Sequence, residues 1–492
     1  MEIKALPERL QEENEELKDI ISCQSQEITL LKERIQHLLH RQFGRKSEQS
    51  SPEQLNLFDE LDTPEAPSKD AEVTVPSHTR KKKSRMLPDH LPRETIHYDI
   101  EDKDKVCECG CDLKKIGDDT YEQLEYIPAQ VKVLKHVKAK YACPVCQAHV
   151  KTAHIPKQPI PKSIATPGLL AHVLVSKYVD HLPLYRQEKM LARLSSEINR
   201  KTLSNWIFKC ADLLEPLVKL LKEHITNQDY IKADETTVNV LSEKERHKSY
   251  MWVAMGGDKG QEGVLFEYYP DRTQSSAQKL LSGISGYLHT DGYCGYNTLR
   301  NKEDITSVGC WGHTRRNFFE ITKTAKKAGA AHEAVSRINK LYRIERIIKE
   351  QSLGIKQIKD YRQLHAKPIL LDIKKWLDKH RHRVPPKSAL GQAIQYALNQ
   401  WPYLIVYIED GRLEIDTNSI ERMIKPFALG RKNWLFCGNT AGAKASAIIY
   451  SLTQTCLVNA VDPYQYFRKV LTEIPSHNVQ TLDELLPWNL TV

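Results

Sequence analysis

Ile231-Lys-Ala-Asp234-Glu-Thr-Thr237 sits inside a run, Asp229–Leu241, that is rich in β-branched residues and free of glycine and proline. Such a run reads as a β-strand, and a carboxylate set among its apolar positions needs a reason to be there, because acids are seldom buried without partners. Strand-like text continues over Ser249–Gly256 and Gly263–Pro270 and, past a short helix, over Gly286–Thr290 and Asp304–Trp311. A second acid, Asp291, ends the fourth of these strands in His289-Thr-Asp-Gly-Tyr-Cys-Gly-Tyr296, directly before a glycine turn. A third, Glu421, lies far downstream in Asp416-Thr-Asn-Ser-Ile-Glu-Arg-Met-Ile-Lys425, which reads as a helix. Asn418-x-x-Glu421 fits a capping box equally well, in which the glutamate serves only a helix start. Asp416 is then the next candidate for the third acid.

Three neighbouring strands, a helix and further strands form an α/β order compatible with a ribonuclease-H-like sheet. Asp234, Asp291 and Glu421 unite in phosphodiester chemistry. Two Mg²⁺ (or Mn²⁺) ions about 3.5–4 Å apart activate an attacking oxygen and stabilise a leaving one, and such hard cations require clustered carboxylates. Acids packed this closely repel one another without the ions, so weak metal-free stability is expected. Bases gather nearby in the sequence: His313, Arg315 and Arg316, then Arg422 and Lys425 on the Glu421 helix, then Arg431 and Lys432. A site facing a polyanion uses cations to hold phosphates while carboxylates hold metals. Between about 325 and 408 the chain reads as a basic helical insertion that could cover bound DNA.

The chain as a whole suits this chemistry. Its 492 residues support several domains, and 72 Lys+Arg against 63 Asp+Glu leave a net charge of +9 that favours a polyanionic partner. No apolar run is long enough to span a bilayer, and the first residues carry no secretion pattern, so a cytoplasmic protein is expected. Eleven cysteines, five of them between Cys107 and Cys146, fit a metal site in a reducing compartment better than disulfides.

Toward the N-terminus, Leu10, Leu17, Gln24, Leu31 and Leu38 recur every seven positions, with Asn14, Ile21, Ile28 and Ile35 on the adjoining seam. This heptad pattern predicts a parallel two-stranded coiled coil within 1–45, hence a dimer. Residues 46–91 are poor in large apolar residues and read as a disordered linker. It ends in Arg80-Lys-Lys-Lys-Ser-Arg85. In 92–160, Cys107-Glu-Cys109-Gly-Cys111 and Cys143-Pro-Val-Cys146, joined by an expected hairpin (Tyr121–Ile127, Gln130–Tyr141), predict a structural Zn²⁺ site. Cys107 and Cys109 are the favoured partners of Cys143 and Cys146, with Cys111 spare and His149 and His154 as alternative ligands.

Residues 161–226 read as helix, short turn, helix. In a helix-turn-helix the second helix presents polar and basic residues to the major groove, and Arg200, Lys201 and Asn205 supply that face while Leu203, Trp206 and Ile207 pack inward. An ordinary helical bundle would read much the same. The expected architecture is multidomain: an α coiled coil, a small β zinc-binding module, an α-helical helix-turn-helix region, an α/β ribonuclease-H-like catalytic core (227–445) with its helical insertion, and a C-terminal helical tail (446–492).

These residues resemble the large transposase of the insertion sequence 66 family, a bacterial DDE transposase. The likeness covers nearly the whole chain: Arg41-Gln-Phe-Gly-Arg-Lys-Ser-Glu48, the cysteine module, Ala233-Asp-Glu-Thr236, Thr290-Asp-Gly-Tyr293, Gly309-Cys-Trp-Gly-His-Thr-Arg-Arg316, Asn418-x-x-Glu-Arg422, Gly430-Arg-Lys-Asn-Trp-Leu-Phe436 and Leu485-Leu-Pro-Trp-Asn489. Two departures are Thr237, where the family often has proline, and the Cys-x-Cys-x-Cys first half of the cysteine module, which leaves its ligands open. The resemblance implies that Asp234, Asp291 and Glu421 form the catalytic acids of an enzyme that binds the terminal inverted repeats of its element. It would cut a strand at each end and use the freed 3′-hydroxyl to attack target DNA. It further implies accessory proteins of the same element as partners and a place on the bacterial nucleoid when DNA is bound. The competing readings are a regulatory or inactive DNA-binding relative and a nuclease of the same fold that cuts without joining.

Overall fold

The computed structural model describes residues 150–243, 248–324 and 329–490, together with 31, 35, 93–96, 98, 123 and 129–142. The chain divides into two compact units, residues 64–136 and residues 1–63 with 137–492. In the first, the described residues form no helix or strand. Of the expected coiled coil, Leu31 and Ile35 are described, both helical and exposed. The rest of that run, the linker and its basic end, and Cys107, Cys109, Cys111, Cys143 and Cys146 lie outside the described residues.

Of the expected hairpin of the cysteine module, Tyr121–Ile127 lies outside the described residues apart from Gln123, and the second strand differs from expectation. Residues 129–139 form no strand; instead β1 (Lys140–Ala142) pairs antiparallel with β2 (Val150–Thr152), Tyr141 opposite Lys151. The two strands flank Cys143–Cys146 in the sequence. The alternation of valine and lysine that suggested a strand over 130–139 lies on exposed side chains, with no core face to fix a register.

Three helices follow: α1 (Pro167–Tyr178), α2 (Leu184–Arg193) and α3 (Arg200–Thr226). Thr166 caps α1 by accepting from the Leu169 amide, with Pro167 in the first turn where its missing N–H is harmless. Asn199 caps α3 in the same way through the Thr202 amide. The helix, turn, helix order matches the sequence reading, but α3 runs 27 residues through Pro216 and joins the main core. Residues 161–226 are therefore built into the body of the fold and share its apolar interior.

The sheet has five strands: β3 (Tyr230–Val238), β4 (Ser249–Gly256), β5 (Gly263–Tyr269), β6 (Gly286–Thr290) and β7 (Ile305–Gly309). Their spatial order is β5-β4-β3-β6-β7, antiparallel among the first three in sequence and parallel from β3 through β6 to β7. Helices α4 (Gln274–Leu280) and α5 (Asn297–Arg300) lie in the connections, and α6 (Trp311–Thr324) follows β7. The expected insertion consists of α7 (Ala330–Glu350), α8 (Ile355–Arg381) and α9 (Ala389–Leu404). The chain returns to the sheet through α10 (Asn418–Trp434), α11 (Thr440–Val458) and α12 (Pro463–Glu473).

Two apolar cores result. The first joins the sheet (Val253, Phe266, Leu288) to α3, α10 and α11 through Leu217, Leu221, Phe427 and Tyr450. Gly263 allows α3 to lie directly on β5, because a Cβ there would fall 2.8 Å from Ile225. The second belongs to the insertion, where Leu341, Ile373, Trp376 and Ile394 close over Trp311 and Phe318 of α6. Arg362 locks the exit of that insertion. Its guanidinium takes Glu345 through two bonds of 2.9 and 2.6 Å and donates to the carbonyls of Tyr407, Asp410 and Leu413 at 3.0, 3.2 and 2.8 Å.

The boundary expected at 445/446 falls inside α11, which is no appended tail. Its Ser451, Thr455 and Asn459 stand one turn apart and meet the outer edge of β5: the amides of Phe266, Val264 and Glu262 donate to them at 2.8, 3.0 and 3.1 Å. Four residues of helix rise about 6 Å and two residues of strand about 6.8 Å, so this polar row keeps step with the strand. An edge that would otherwise offer unpaired N–H and C=O groups is covered by side chains.

Candidate active site

Lys232, Asp234 and Thr236 alternate on β3 and so share one face of the sheet, the face on which α10 packs. Two tethers fix that helix along the strand. Near its start, the buried Lys232 ammonium donates to Ser419 Oγ at 2.9 Å and pairs with Glu414. Burial would raise the Glu414 carboxyl, but the Lys232 charge overcomes it and holds the group below its ordinary range. Near its end, Arg431 donates to Thr237 Oγ1 at 2.6 Å and to the Thr237 carbonyl. Between these ties, Glu421 is held beside Asp234.

Asp291 reaches the same place from the neighbouring strand. β3 and β6 pair in parallel with Ile231 opposite Leu288 and Lys232 opposite His289; two residues further, that register sets Asp234 level with Asp291. The turn carrying Asp291 is fastened by its own carboxylate, which accepts from the Tyr293 amide at 2.9 Å, and by Arg300, which donates to the Asp291 carbonyl and to Thr290 Oγ1. Gly292 lets Tyr396 of α9 pack on this turn, since a Cβ would lie 2.7 Å from its ring. Gly292→Ala is therefore expected to destabilise the fold by about 1–3 kcal/mol, the usual range for overpacking, measurable by urea unfolding.

The electrostatics record the convergence. Burial, then the neighbouring charges of Glu235 and Asp291, with Glu421 adding to them, hold the Asp234 carboxyl at about 8, although the Glu235 amide donates to it at 2.8 Å. Glu421 is turned toward α6. Its Oε2 accepts from Arg316 at 3.1 Å, while its Oε1 stands 3.8 Å from His313 Nδ1, buried and without a hydrogen bond. The capping-box reading thus has no support in the local geometry: the first-turn amide of Asn418 donates to Asp416, which also accepts from Tyr342 at 2.9 Å. Asp416 is a buried turn residue engaged by these partners.

Among the described residues, no three His, Cys, Asp or Glu side chains are gathered tightly enough to enclose a metal ion as they stand. The donor set nevertheless fits hard divalent cations: all oxygen, crowded enough to raise one proton affinity, and with one buried carboxylate oxygen lacking a partner. Without positive charge between them, the acids are expected to lean apart, and Arg316 draws Glu421 outward.

The bases named from the sequence divide into groups. His313 and Arg316 face the acids. Arg315, 8% exposed, turns the other way and donates to Asn339 of α7 at 2.7 Å, so it braces the insertion instead of facing solvent. Arg431 is engaged by β3, as described above. Arg422, Lys425 and Lys432 are exposed along α10, and Arg200, Lys201 and Asn205 are exposed at the start of α3 with Leu203, Trp206 and Ile207 buried beneath them. Sequence reading missed Glu235, whose buried side chain points to the opposite face of the sheet and is held by Arg272 and by Tyr296 Oη at 2.6 Å. It also missed Lys232 and Glu414. A lysine two positions before Asp234 on the same strand face was the available signal, since a buried ammonium requires an acid.

Comparison with known proteins identifies the family. A family model described as "Transposase IS66 family" matches residues 162–445, "Transposase C of IS166 homeodomain" matches 30–96, "zinc-finger binding domain of transposase IS66" matches 104–147, and "IS66 C-terminal element" matches 451–488. The chain is 33% identical over 418 residues to the uncharacterized protein y4jD of Sinorhizobium fredii (strain NBRC 101917 / NGR234), covering 82% of this chain and 81% of that one. It is 31% identical over 438 residues to y4hP of the same organism, covering 84% and 78%. No helix among the described residues is long and apolar enough to cross a membrane. With acids, bases and family text coinciding over the same stretch, the chain belongs to the IS66 family of transposases.

Proposed function

We propose that this transposase binds the terminal inverted repeats of its element, cuts a strand at each end and joins the freed 3′ end to target DNA, using Asp234, Asp291 and Glu421 in a ribonuclease-H-like core. The observation that carries the proposal is the approach of these three acids from β3, the end of β6 and the first turn of α10, with Asp234 held up to about 8 by burial first, then by the charge of Glu235, and with Asp291 and Glu421 adding to it. The strand order β5-β4-β3-β6-β7, antiparallel then parallel, supports the fold assignment.

Two divalent cations held by the three carboxylates would supply the positive charge that activates the attacking oxygen and stabilises the leaving one. The chain's own residues do the rest. Asp234 and Asp291, fixed by paired strands, define the position of the reacting phosphate. Lys232 and Arg431 keep α10 in register, so that Glu421 is presented at the same level. Arg316 and His313 place positive or donor groups where phosphate oxygens would lie, and Arg422, Lys425 and Lys432 extend that field along α10. Arg200, Lys201 and Asn205 suit groove contacts from the second helix of the helix-turn-helix.

The test is cleavage and strand transfer on labelled element-end duplexes with Mg²⁺ or Mn²⁺, with accessory proteins of the element supplied. Joined products from the intact protein, lost in Asp234→Asn, Asp291→Asn and Glu421→Gln while end binding persists, are the expected result. Nicks without joining would mean a nuclease, and binding without either would mean a regulator.

In the cysteine module, the match to a zinc-finger binding domain over 104–147 supports a structural Zn²⁺ site for which Cys107, Cys109, Cys143 and Cys146 are the favoured ligands. Metal analysis is expected to return about one tightly held Zn²⁺ per chain, and a zinc-free protein would refute it. Self-association through the coiled coil would bring two element ends together.

A further inference from the structure

We infer that the turn at Leu435–Phe436 is a wedge that enters the base stack of the element-end duplex, at the far end of a contact row that begins beside Glu421. The inference rests on the DNA-cutting reading above and adds a site to it.

The exposed residues of α10 after Glu421 are Arg422, Lys425, Leu429, Lys432 and Asn433. Steps of three and four keep them on one side of the helix. Glu421 is the sole acid in that helix, so every charge on its outer side after Glu421 is positive. The row then ends in two large apolar side chains held in solvent, Leu435 at 59% and Phe436 at 46% exposure.

The backbone that presents them is strained and anchored on both sides. Leu435 has φ 66° and ψ −46°, and the Phe436 amide donates to the Trp434 carbonyl at 2.8 Å. That is a γ-turn of the rare strained hand, in a branched residue where glycine would be expected. On one side Trp434 is packed on Phe427, with the Lys177 ammonium over its ring. On the other, Cys437 is bonded to the end of β3, donating to the Asn239 carbonyl and accepting from the Leu241 amide. With both neighbours fixed, the pair is pushed outward, and Leu241, whose amide donates to the Cys437 carbonyl, is itself 54% exposed. Strain kept at a solvent-facing apolar tip indicates a role outside the fold, because burial does not repay it.

The neighbours identify the occupant. An apolar tip at the end of a row of cations matches a polyanion with an apolar interior, which is stacked duplex DNA; apolar side chains that part base steps are an established way to kink it. Residues 421 to 435 span about 21 Å of helix, equal to about six base pairs at roughly 3.4 Å each. The wedge would thus act up to about six base pairs from the cut.

The experiment uses the full-length protein and end duplexes carrying 2-aminopurine at successive positions on either side of the cleavage site, in Ca²⁺ so that binding is read without cutting. Binding is followed by anisotropy and unstacking by 2-aminopurine emission. The intact protein is expected to raise emission severalfold at one step several base pairs from the cut. Phe436→Ala should lose that rise and weaken binding by about tenfold, the scale of one lost base–aromatic stack. Leu435→Gly should also lose the rise while raising the melting temperature, since glycine relieves the strained turn; a general folding defect would lower it. Tight binding with no emission change at any position overturns the wedge and leaves the transposase reading intact. Absence of end binding overturns both. A shift from dimer to monomer in Phe436→Ala, with emission unchanged, would make the patch a contact between copies and overturn the wedge as well.

Discussion

Asp234→Asn is expected to lower cutting and joining by at least about a thousandfold, the scale on which an electrostatic stabiliser of a transition state is lost, while making the metal-free protein more stable. The two effects have one origin. In an unfolded chain aspartate titrates near 3.9, whereas burial and the charges of Glu235, Asp291 and Glu421 hold Asp234 at about 8 in the folded state. The native state binds that proton more tightly, so stability is present below the unfolded value and is lost as pH rises from about 4 through 8. Asparagine carries no charge across this window and keeps an oxygen for the Glu235 amide. Thermal unfolding in EDTA should therefore show a larger gain for the variant near pH 8.5 than near pH 5. A variant less stable than the parent at both would mean that the carboxylate serves the fold, and that the crowding of acids is not a functional strain.

Arg362→Ala should have the largest effect on stability. The side chain is buried, and its removal leaves Glu345 without its cation and takes from the carbonyls of Tyr407 and Leu413 the donor that Arg362 gives them, while the Asp410 carbonyl keeps the Leu413 amide. Breaking a buried pair from one side typically costs about 3–5 kcal/mol, and the unpaired carbonyls add to it. The loss should begin locally. Those carbonyls belong to the segment that leads from the insertion back to Glu414 and α10, so hydrogen exchange across 405–413 should quicken at denaturant concentrations where β3 and β4 stay protected. Arg362→Lys restores charge but not the forked geometry, and is expected to recover only part of the stability.

The strands of the sheet were legible in the sequence because each is a short β-branched or aromatic run between turn residues, and Asp234 and Asp291 stood out as acids at strand positions. Glu421 was ambiguous for a physical reason: a glutamate in a helix's first turn fits both a cap and a site, and only the partners of Asn418 and Arg316 separate the two. The network below the acids was hidden because Lys232 and Glu414 lie far apart in sequence and meet only when α10 folds onto β3. Arg315 and Arg316 look alike as adjacent bases. On a helix their directions differ by about 100°, so one faces the insertion and the other the acids. The division at 445/446 falls between the two family matches, 162–445 and 451–488, yet one helix runs across it; its packing on β5 was hidden because a polar row of Ser451, Thr455 and Asn459 reads as an ordinary helix face unless the strand opposite it is known.

That row has a consequence for how copies of such a gene decay. A frameshift or stop late in the reading frame would leave the acids, the insertion and α10 translated, yet would strip β5 of its cover and expose a full row of backbone donors and acceptors beside an apolar face. Truncated chains should then recruit one another edge to edge and leave solution, instead of persisting as DNA-binding fragments that compete with the intact enzyme for element ends.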